Sequence, residues 1–396
     1  MSGPLAGVRV LDLTSVVLGP LATQTLGDFG ADVIKIEAPS GDTTRYTGPK
    51  RSIDMSALFM GLNRNKRSIV LDLKKDAAKE ALWCLIDDAD VFLHSIRPKA
   101  IERLGFDFEA VFTRNNRIVY AGIHGFRVDG PYSGHPAYDD VIQGLSGSAD
   151  LMARLVGEPR YMPTIIADKT CGLVTVNAIL SALLERERSG KGQFVEIPMF
   201  ETMVAFNMAD HIFGHTFEPP EGPMGYSRVL APSRRPYDTL DGTICILVYT
   251  DTQWENFWLE VGRPELGSDP RFDSLASRAD NIEAVYNLAA GFIATRTTAA
   301  WLEVLPQLEI PCGEIVELEN LPDDPHLKAV GFFRPAEHPT EGSITVPDIA
   351  VQFSRTPGEI LRLQPNLGEH TDEILRESGY DDDQIEKLRN DGAINQ

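Results

Sequence analysis

Apolar and polar positions in the first half of the chain alternate between short apolar runs and amphipathic helical stretches. Residues 8–13 and 32–37 are typical of buried strands, and the helical stretch 19–26 lies between them. Such a βαβ unit predicts parallel strands joined by a right-handed crossover. Further strands are predicted at 68–73, 90–95, 117–123 and 193–197, and further helices at 75–87, 98–104 and 200–213. The pattern predicts an α/β fold with a Rossmann-like parallel sheet.

The alternation stops between residues 218 and 236, where prolines and glycines are dense, and we interpret this stretch as a linker. Residues 1–217 are then the predicted large domain, and residues 237–335 a predicted small α+β domain. The segment 336–396 is expected to return to the large domain and ends in two acidic helices. The elements predicted after the linker are strands at 243–249, 312–316 and 343–353 and helices at 253–261, 278–292 and 299–307.

The longest helical stretch begins beside Asp168 and ends at Gly190. An apolar run, residues 165–167, stops at this acid, and basic residues occupy the last turn. At the N-cap position, the Asp168 carboxylate would accept bonds from the first free N–H groups, and these bonds and the helix dipole would keep it ionised. Two interpretations stay open: a cap alone, or a nucleophile at the mouth of a buried helix.

Composition narrows the classes of function. A net charge of −21 argues against a nucleic-acid partner and a membrane surface. The N-terminus has no basic region ahead of an apolar stretch, so a cytoplasmic location is expected. Cys84, Cys171 and Cys245 lie in apolar contexts and are expected to be small buried side chains. The cysteines and histidines lack metal-ligand spacing, so no metal site is predicted.

Positive charges nevertheless recur near the predicted strand ends. Parallel sheets bind ligands at the carboxyl ends of their strands, so a pocket for a phosphorylated cofactor explains this clustering better than a solvated helix face does. His94 and His124 also end strands, although surface or core histidines would fit equally well. The fingerprint G-x-G-x-x-G is absent from the first turn, so no dinucleotide site is predicted. The basic residues are Lys66, Arg67, Lys74, Arg97, Lys99 and Arg103.

Motifs that cover nearly the whole chain resemble those of a known family, the class III CoA-transferases. This family includes formyl-CoA transferases, carnitine CoA-transferases and α-methylacyl-CoA racemases. The motifs are Leu5-x-Gly7-x-x-Val10-Leu11-Asp12, Gly19-Pro20, Gly30-Ala31-x-Val33-Ile34-Lys35-Ile36-Glu37, Asn65-Lys66-Arg67-Ser68-Ile69-x-Leu71-Asp72-Leu73-Lys74, Asp90-Val91, Ala100-x-x-Arg103-Leu104-Gly105, Gly190-x-Gly192-Gln193, Ile310-Pro311-Cys312-Gly313, Asp324-Pro325-His326-Leu327 and Leu367-Gly368-Glu369-His370-Thr371.

The resemblance implies an interlocked ring homodimer in which Asp168 matches the family's nucleophile. It implies that coenzyme A passes from an acyl-CoA donor to a carboxylic acid acceptor through aspartyl anhydride and aspartyl-CoA thioester intermediates, without a metal. Backbone N–H groups near Asp168 and at the Gly19 turn would stabilise the oxyanions. The positions that match the family's contacts to coenzyme A are Val16, Leu71, Lys74, Ser95, Ile96, Ala100, Arg103, His124 and Tyr138.

The chain departs from formyl-CoA transferases at Val17, where they have a glutamine, and at Ala38, where they have an arginine. Their glycine-rich lid is not recognisable here. Oxalate and formyl groups are therefore not expected as substrates. Arg228 and Arg234, with the neighbouring Arg235, are candidate contacts for the distal carboxylate of a dicarboxylic or branched acid acceptor, and solvated linker charge explains them equally well.

Two other classes of function stay open. An α-methylacyl-CoA racemase would use a histidine and an aspartate as an acid/base pair. The racemase histidine falls at Tyr138 in this sequence, with His135 close by. A non-catalytic acyl-CoA-binding subunit is the other class, and the retained Asp168 argues against it.

Overall fold

A computed structural model describes residues 3–395 and centres on a six-stranded sheet. Its strands are β1 (Arg9–Leu13), β2 (Asp32–Glu37), β3 (Lys66–Val70), β4 (Val91–His94), β5 (Val119–His124) and β6 (Gln193–Pro198). They lie in the order β3-β2-β1-β4-β5-β6, and all neighbours are parallel. The predicted α/β class is confirmed. Since the chain builds β2 and β3 on one side of β1 and β4 on the other, the order reverses between β1 and β4.

Helices follow the strands along the chain. Those that precede residue 212 are α1 (Leu18–Asp28), α2 (Ala57–Met60), α3 (Asp76–Asp87), α4 (Pro98–Leu104), α5 (Phe108–Arg114), α6 (Asp139–Leu145), α7 (Ser148–Val156), α8 (Ile166–Ser189) and α9 (Met199–His211). The later elements are α10 (Ser227–Leu230), β7 (Tyr237–Asp238), β8 (Thr243–Ile246), α11 (Asp251–Glu260), α12 (Leu275–Asp280), α13 (Ile282–Ile293), α14 (Thr298–Val304), β9 (Cys312–Glu314), α15 (Pro325–Ala329), β10 (Phe333–His338), β11 (Gly342–Pro347), α16 (Thr371–Glu377) and α17 (Asp382–Asn390).

The chain divides into two compact units. The first contains the residues up to 146, residues 162–206 and those from 325 onward; the second contains residues 147–161 and 207–324. The domain boundaries drawn from the sequence stay a prediction.

Both faces of the parallel sheet are buried in the first unit. Successive strand residues point to opposite faces, so Val10 and Leu11 enter different cores. Side chains of α1, α8 and α9 cover the Val10 face, and side chains of α3, α5, α16 and α17 cover the Leu11 face. Within the described residues, α8 is the one helix long and apolar enough by composition to cross a membrane, and 50% of that stretch is buried inside the protein. We interpret α8 as a core helix.

The second unit has its own aromatic core around a small antiparallel sheet, β7-β8-β9. Trp254, Phe257 and Trp258 project from α11 into this core and meet Trp301 of α14. A capping box fixes the start of α11, because the Thr250 hydroxyl accepts the Gln253 N–H while the Gln253 side chain accepts the Thr250 N–H.

Several local predictions are wrong. The third strand begins at Lys66 rather than Ser68 because Lys66 and Arg67 have acidic partners inside the fold. The helix predicted at 278–292 is two helices separated by Asn281, a residue whose side chain competes for backbone bonds. Cys245 is exposed rather than buried, while Cys171 is buried and Cys84 partly so. The sequence pattern missed α2, α5, α7, α10, α15, β7 and β10.

A buried ionic network ties β1, β2 and β3 together. The Lys66 ammonium lies 3.1 Å from Asp12 Oδ2, and the Lys35 ammonium lies 2.9 Å from Asp42 Oδ2. Burial alone would raise the pKa of Asp12, but the two ammonium groups outweigh it and lower that pKa to about 2. Lys35 also donates to the Thr14 carbonyl oxygen at 3.0 Å, so the network holds the turn that follows β1.

We expect Lys66→Met to lower the free energy of unfolding by about 3–5 kcal/mol, because it removes one partner of a buried charge pair. Urea unfolding at pH 7 measures the change. Lys79→Met is the matched control: its ammonium lies 3.6 Å from the exposed Asp76, so we expect a change of at most about 1 kcal/mol. Equal effects of the two substitutions would contradict the structural role of the network.

Candidate active site

A cavity of about 200 Å³ opens where the strand order reverses, at the carboxyl ends of β1, β4 and β5. Open parallel sheets bind their ligands at this place. Asp168 of α8 lines this cavity together with Val16, Val17, Ser95, His124 and Tyr138. The structure therefore brings six sequence-predicted site residues into one cavity.

Asp168 lies within the first turn of α8, and the predicted N-cap role is wrong. The helix begins at Ile166, and its N-cap, Ile165, provides no side-chain bond. The capping carboxylate is that of Asp139 in α6. Its Oδ1 accepts the N–H of Ala167 at 2.7 Å and the N–H of Asp168 at 3.0 Å. Asp168 is thereby left without the role of a cap.

Asp139 is itself held in place, since the Gln143 side-chain amide donates to its Oδ2 at 2.5 Å. The Gln143 side-chain oxygen accepts the Met162 N–H at 2.9 Å. The segment leading into α8 is thus tied to α6 through one glutamine. Sequence reasoning missed Asp139. The only local signal was that it opens a short helix beside another acid, Asp140, and nothing in the sequence pairs it with a helix that starts 27 positions later.

The charge state of Asp168 also differs from the expectation. Burial raises the pKa of its carboxyl, the charge of Asp139 adds to this effect, and the pKa is about 7. The N–H groups of Ala167 and Asp168 donate to the Asp139 carboxylate and not to that of Asp168. The same two carboxyls and burial raise the pKa of the Cys171 thiol to about 12, so this thiol is protonated at neutral pH.

Val16 forms part of the cavity wall in a strained conformation. Its φ is 72°, in the left-handed region, where a β-branched residue is an outlier. The Val16 N–H donates to Asp42 Oδ1 at 3.2 Å, and Asp42 belongs to the buried ionic network. The network therefore fixes the direction of the chain between β1 and α1, which places Val17 beside Asp168 in the cavity wall.

His94 and His124 end β4 and β5, and their rings lie 5.8 Å apart. Burial and the neighbouring His124 lower the pKa of His94 to about 3, and burial lowers the pKa of His124 against the pull of Glu196. Both rings are neutral at pH 7. Within the described residues, His124 Nε2 is buried and has no hydrogen-bond partner.

A second cavity, of about 350 Å³, adjoins the first, and Ser15 lines both. It contains three more of the predicted contacts: Leu71, Ile96 and Lys74, whose ammonium-bearing side chain is exposed. Ala100 and Arg103 lie on α4 and line neither cavity. Arg228 and Arg234 belong to the second unit.

The predicted basic pocket is wrong at two of its residues. Lys66 is fully buried beside Asp12, and Arg67 binds Asp32, Glu373 and Glu377, so neither residue is available to a phosphate. Lys74 and Arg97 do line the two cavities. No group of three or more His, Cys, Asp or Glu side chains is arranged for a metal among residues 3–395.

Comparisons with known proteins identify a family and related structures. Residues 5–371 match CoA-transferase family III. A formyl-CoA:oxalate CoA-transferase of Escherichia coli O6:H1 is 32% identical over 419 aligned positions, with 100% of both chains covered. A CAIB/BAIF family protein from Brucella suis superposes with a TM-score of 0.79 at 30% identity, covering 96% of this chain and 100% of that one. Rv3272 from Mycobacterium tuberculosis superposes with a TM-score of 0.82 at 29% identity, covering 94% of this chain and 99% of that one.

We expect Asp168→Asn to stabilise the protein above neutral pH. The folded state binds the Asp168 proton more tightly than the unfolded state does. The contribution of Asp168 to the free energy of unfolding therefore falls as pH rises from about 4 to about 7 and is level above that pH. A shift in pKa from 3.8 to about 7 corresponds to roughly 4 kcal/mol, which the neutral amide would recover at pH 8. Urea unfolding from pH 4 to pH 8 measures it. Asp140→Asn, at an exposed site, is the control. If the gain in stability of Asp168→Asn were the same at every pH, the raised pKa of Asp168 would be contradicted.

We expect Asp139→Asn to lower the pKa of Asp168. The asparagine oxygen still accepts the two backbone N–H groups, but the negative charge that opposes ionisation of Asp168 is gone. Carbon-13 NMR of aspartate-labelled protein follows the titration, and the resonance missing from Asp168→Asn provides the assignment. An unchanged or higher pKa would show that Asp139 does not act on Asp168 through its charge.

Proposed function

The chain belongs to CoA-transferase family III, and we propose that it moves coenzyme A from an acyl-CoA donor to a carboxylic acid acceptor with Asp168 as the nucleophile. The observation that carries the proposal is the position of Asp168: a buried carboxyl with a pKa of about 7 that lines a cavity at the carboxyl ends of β1 and β4.

In the proposed reaction, an Asp168 carboxylate oxygen attacks the donor thioester carbon and expels CoA thiolate, which leaves a mixed anhydride. The thiolate then attacks the Asp168 carbonyl carbon of the anhydride and releases the donor acid, which leaves an aspartyl-CoA thioester. The acceptor carboxylate attacks this thioester, forms a second anhydride and expels the thiolate. Attack of the thiolate on the acceptor carbonyl gives the new acyl-CoA and restores Asp168.

The environment of Asp168 supports this role. A carboxylate that lacks a cationic partner is more basic and a better nucleophile than a carboxylate in an ion pair. Because the pKa of Asp168 is about 7, both its ionised and its protonated form are present near neutral pH. Each step exchanges one acyl derivative for another, so positioning supplies much of the acceleration.

The two adjoining cavities fit the parts of coenzyme A. The second cavity offers apolar walls at Leu71 and Ile96 for the adenine and pantetheine, with Lys74 at its edge for a phosphate. Ser15 connects it to the cavity of Asp168, where Val16, Ser95, His124 and Tyr138 would surround the thioester end. Ala100 and Arg103 stay predictions from the resemblance.

Oxyanion stabilisation is proposed to come from the start of α1. Leu18 and Gly19 line the cavity, and the first N–H groups of a helix have no partner within it. A side chain at Gly19 would collide with Thr14, since an added Cβ would lie 2.2 Å from the Thr14 Cβ. Among the N–H groups near Asp168, those of Ala167 and Asp168 donate to Asp139 and are not available for this role.

A racemase is the second candidate function because His135 lines the same cavity as Asp168. An exposed histidine and a carboxyl of raised pKa could exchange a proton at the α-carbon of an acyl-CoA. Deuterium incorporation from solvent at that carbon, without any requirement for an acceptor acid, would favour the racemase. Transfer of CoA that depends on an added acid would favour the transferase.

The other parts of the proposal are a homodimer, a cytoplasmic location and a dicarboxylic or branched acid as acceptor. The homodimer is supported by α8, which leaves the apolar side chains of Leu173 and Leu184 more than half exposed. Turnover by the purified single chain would refute the alternative that this protein is a non-catalytic acyl-CoA-binding subunit.

We expect Asp168→Ala to reduce CoA transfer by about a thousandfold or more, because the covalent route is lost. The assay follows acceptor acyl-CoA by liquid chromatography with a panel of acyl-CoA donors and carboxylic acids. Asp140→Ala, which changes an exposed acid next to Asp139, should keep full activity. Equal rates for Asp168→Ala and the unmodified protein would refute the proposed function.

A further inference from the structure

Arg228, in the second unit, is a partly buried cation without an acidic partner among the described residues. Its Nε donates to the Tyr226 hydroxyl oxygen at 3.1 Å, and its Nη1 donates to the Tyr286 hydroxyl oxygen at 3.4 Å. The guanidinium also lies over the rings of Tyr226 and Tyr249, 5.5 Å and 5.6 Å from their centroids. In a protein of net charge −21, a cation held only by tyrosines is unusual.

Tyr286 connects this arginine to a cavity of about 280 Å³ in the same unit. The walls are apolar, formed by side chains that include Val248, Trp254 and Ile293. Arg234 stands at the cavity edge, is exposed and makes no ion pair within the described residues, whereas the adjacent Arg235 lies 3.3 Å from Asp238. One side of an apolar cavity is thus cationic.

The Tyr286 hydroxyl adds to the polar side. It accepts a hydrogen bond from Arg228 through its oxygen, and its own O–H group has no acceptor among the described residues. An anion here would meet the positive charge of Arg234 and, at Tyr286, a hydroxyl polarised by a guanidinium.

We propose that this cavity binds the carboxylate of a small acid with an apolar body. The acid belongs to the acceptor class, a statement that rests on the proposed function. The apolar walls favour a branched aliphatic or aromatic acid over inorganic phosphate, which would leave them unoccupied.

Binding is measured on the full chain, without acyl-CoA, by carbon-13 NMR titration of carboxyl-labelled 3-methylbutanoate. We expect Arg234→Gln to weaken binding about tenfold, the factor for loss of one charge-assisted contact. Arg228→Gln should weaken it by a smaller factor, because Arg228 acts on the acid through the Tyr286 hydroxyl. Arg228→Lys keeps the charge and should retain part of the affinity. Arg271→Gln is the matched control, an exposed arginine of the same unit paired with Asp269 at 2.7 Å, and should bind as the unmodified protein does.

Several outcomes would overturn the inference: no binding to the unmodified protein, unchanged affinity in both glutamine variants, or displacement of the acid by equimolar phosphate. Arg234 is exposed and forms no ion pair among the described residues, so a loss in Arg234→Gln does not reflect misfolding. Asp168→Asn separates the two claims. If it binds the acid normally and the unmodified protein transfers CoA to no acceptor tested, the proposed function fails and the site stands. If binding is lost in Asp168→Asn alone, the acid binds beside Asp168 and the site fails.

Discussion

The candidate site depends on the hydrogen bonds that the Asp139 carboxylate accepts from the first N–H groups of α8. A helix start needs an acceptor for these groups, and α6 supplies it from outside the helix. Asp168 is therefore released from the role that its position in the first turn would otherwise give it. This arrangement lowers stability, because a buried carboxyl that has a second carboxylate nearby and no ion pair among the described residues resists ionisation. Such destabilised groups are characteristic of reactive sites.

A second constraint aligns the opposite wall of the cavity. Lys35 and Asp42 hold the turn after β1, and Val16 takes its left-handed conformation there, where only the surrounding structure enforces it. The parallel sheet brings this turn, the ends of β4 and β5 and the start of α8 to one edge. The topology thus creates the crevice, while buried charges determine which backbone and side-chain atoms face it.

The sequence predicts the sheet but not the contacts that define the candidate site. The alternation of apolar runs predicted the parallel sheet because both of its faces are buried. The apolar run ending at Asp168 drew attention to the acid that we propose as the nucleophile, but by itself it left the role of a cap equally open. Asp139 could not be found this way, because the bond that matters joins positions remote in sequence through a fold not yet known. Lys66 and Arg67 were misassigned for a related reason: charge in a sequence indicates a partner, but only the structure shows that the partners are Asp12 and Asp32.

The central claim is that an Asp168 oxygen enters and leaves the substrates, and isotope transfer tests this most directly. The protein is incubated with an unlabelled acyl-CoA and an acceptor acid carrying oxygen-18 in its carboxylate, and the peptide containing Asp168 is then weighed by mass spectrometry. In the proposed route, the first anhydride is cleaved between its bridging oxygen and the Asp168 carbonyl carbon, so one Asp168 oxygen leaves with the donor acid. The second anhydride is cleaved between its bridging oxygen and the acceptor carbonyl carbon, so one acceptor oxygen stays on Asp168. The peptide should therefore gain about 2 Da after one turnover. Labelled acyl-CoA formed without any mass change at Asp168 would contradict the account.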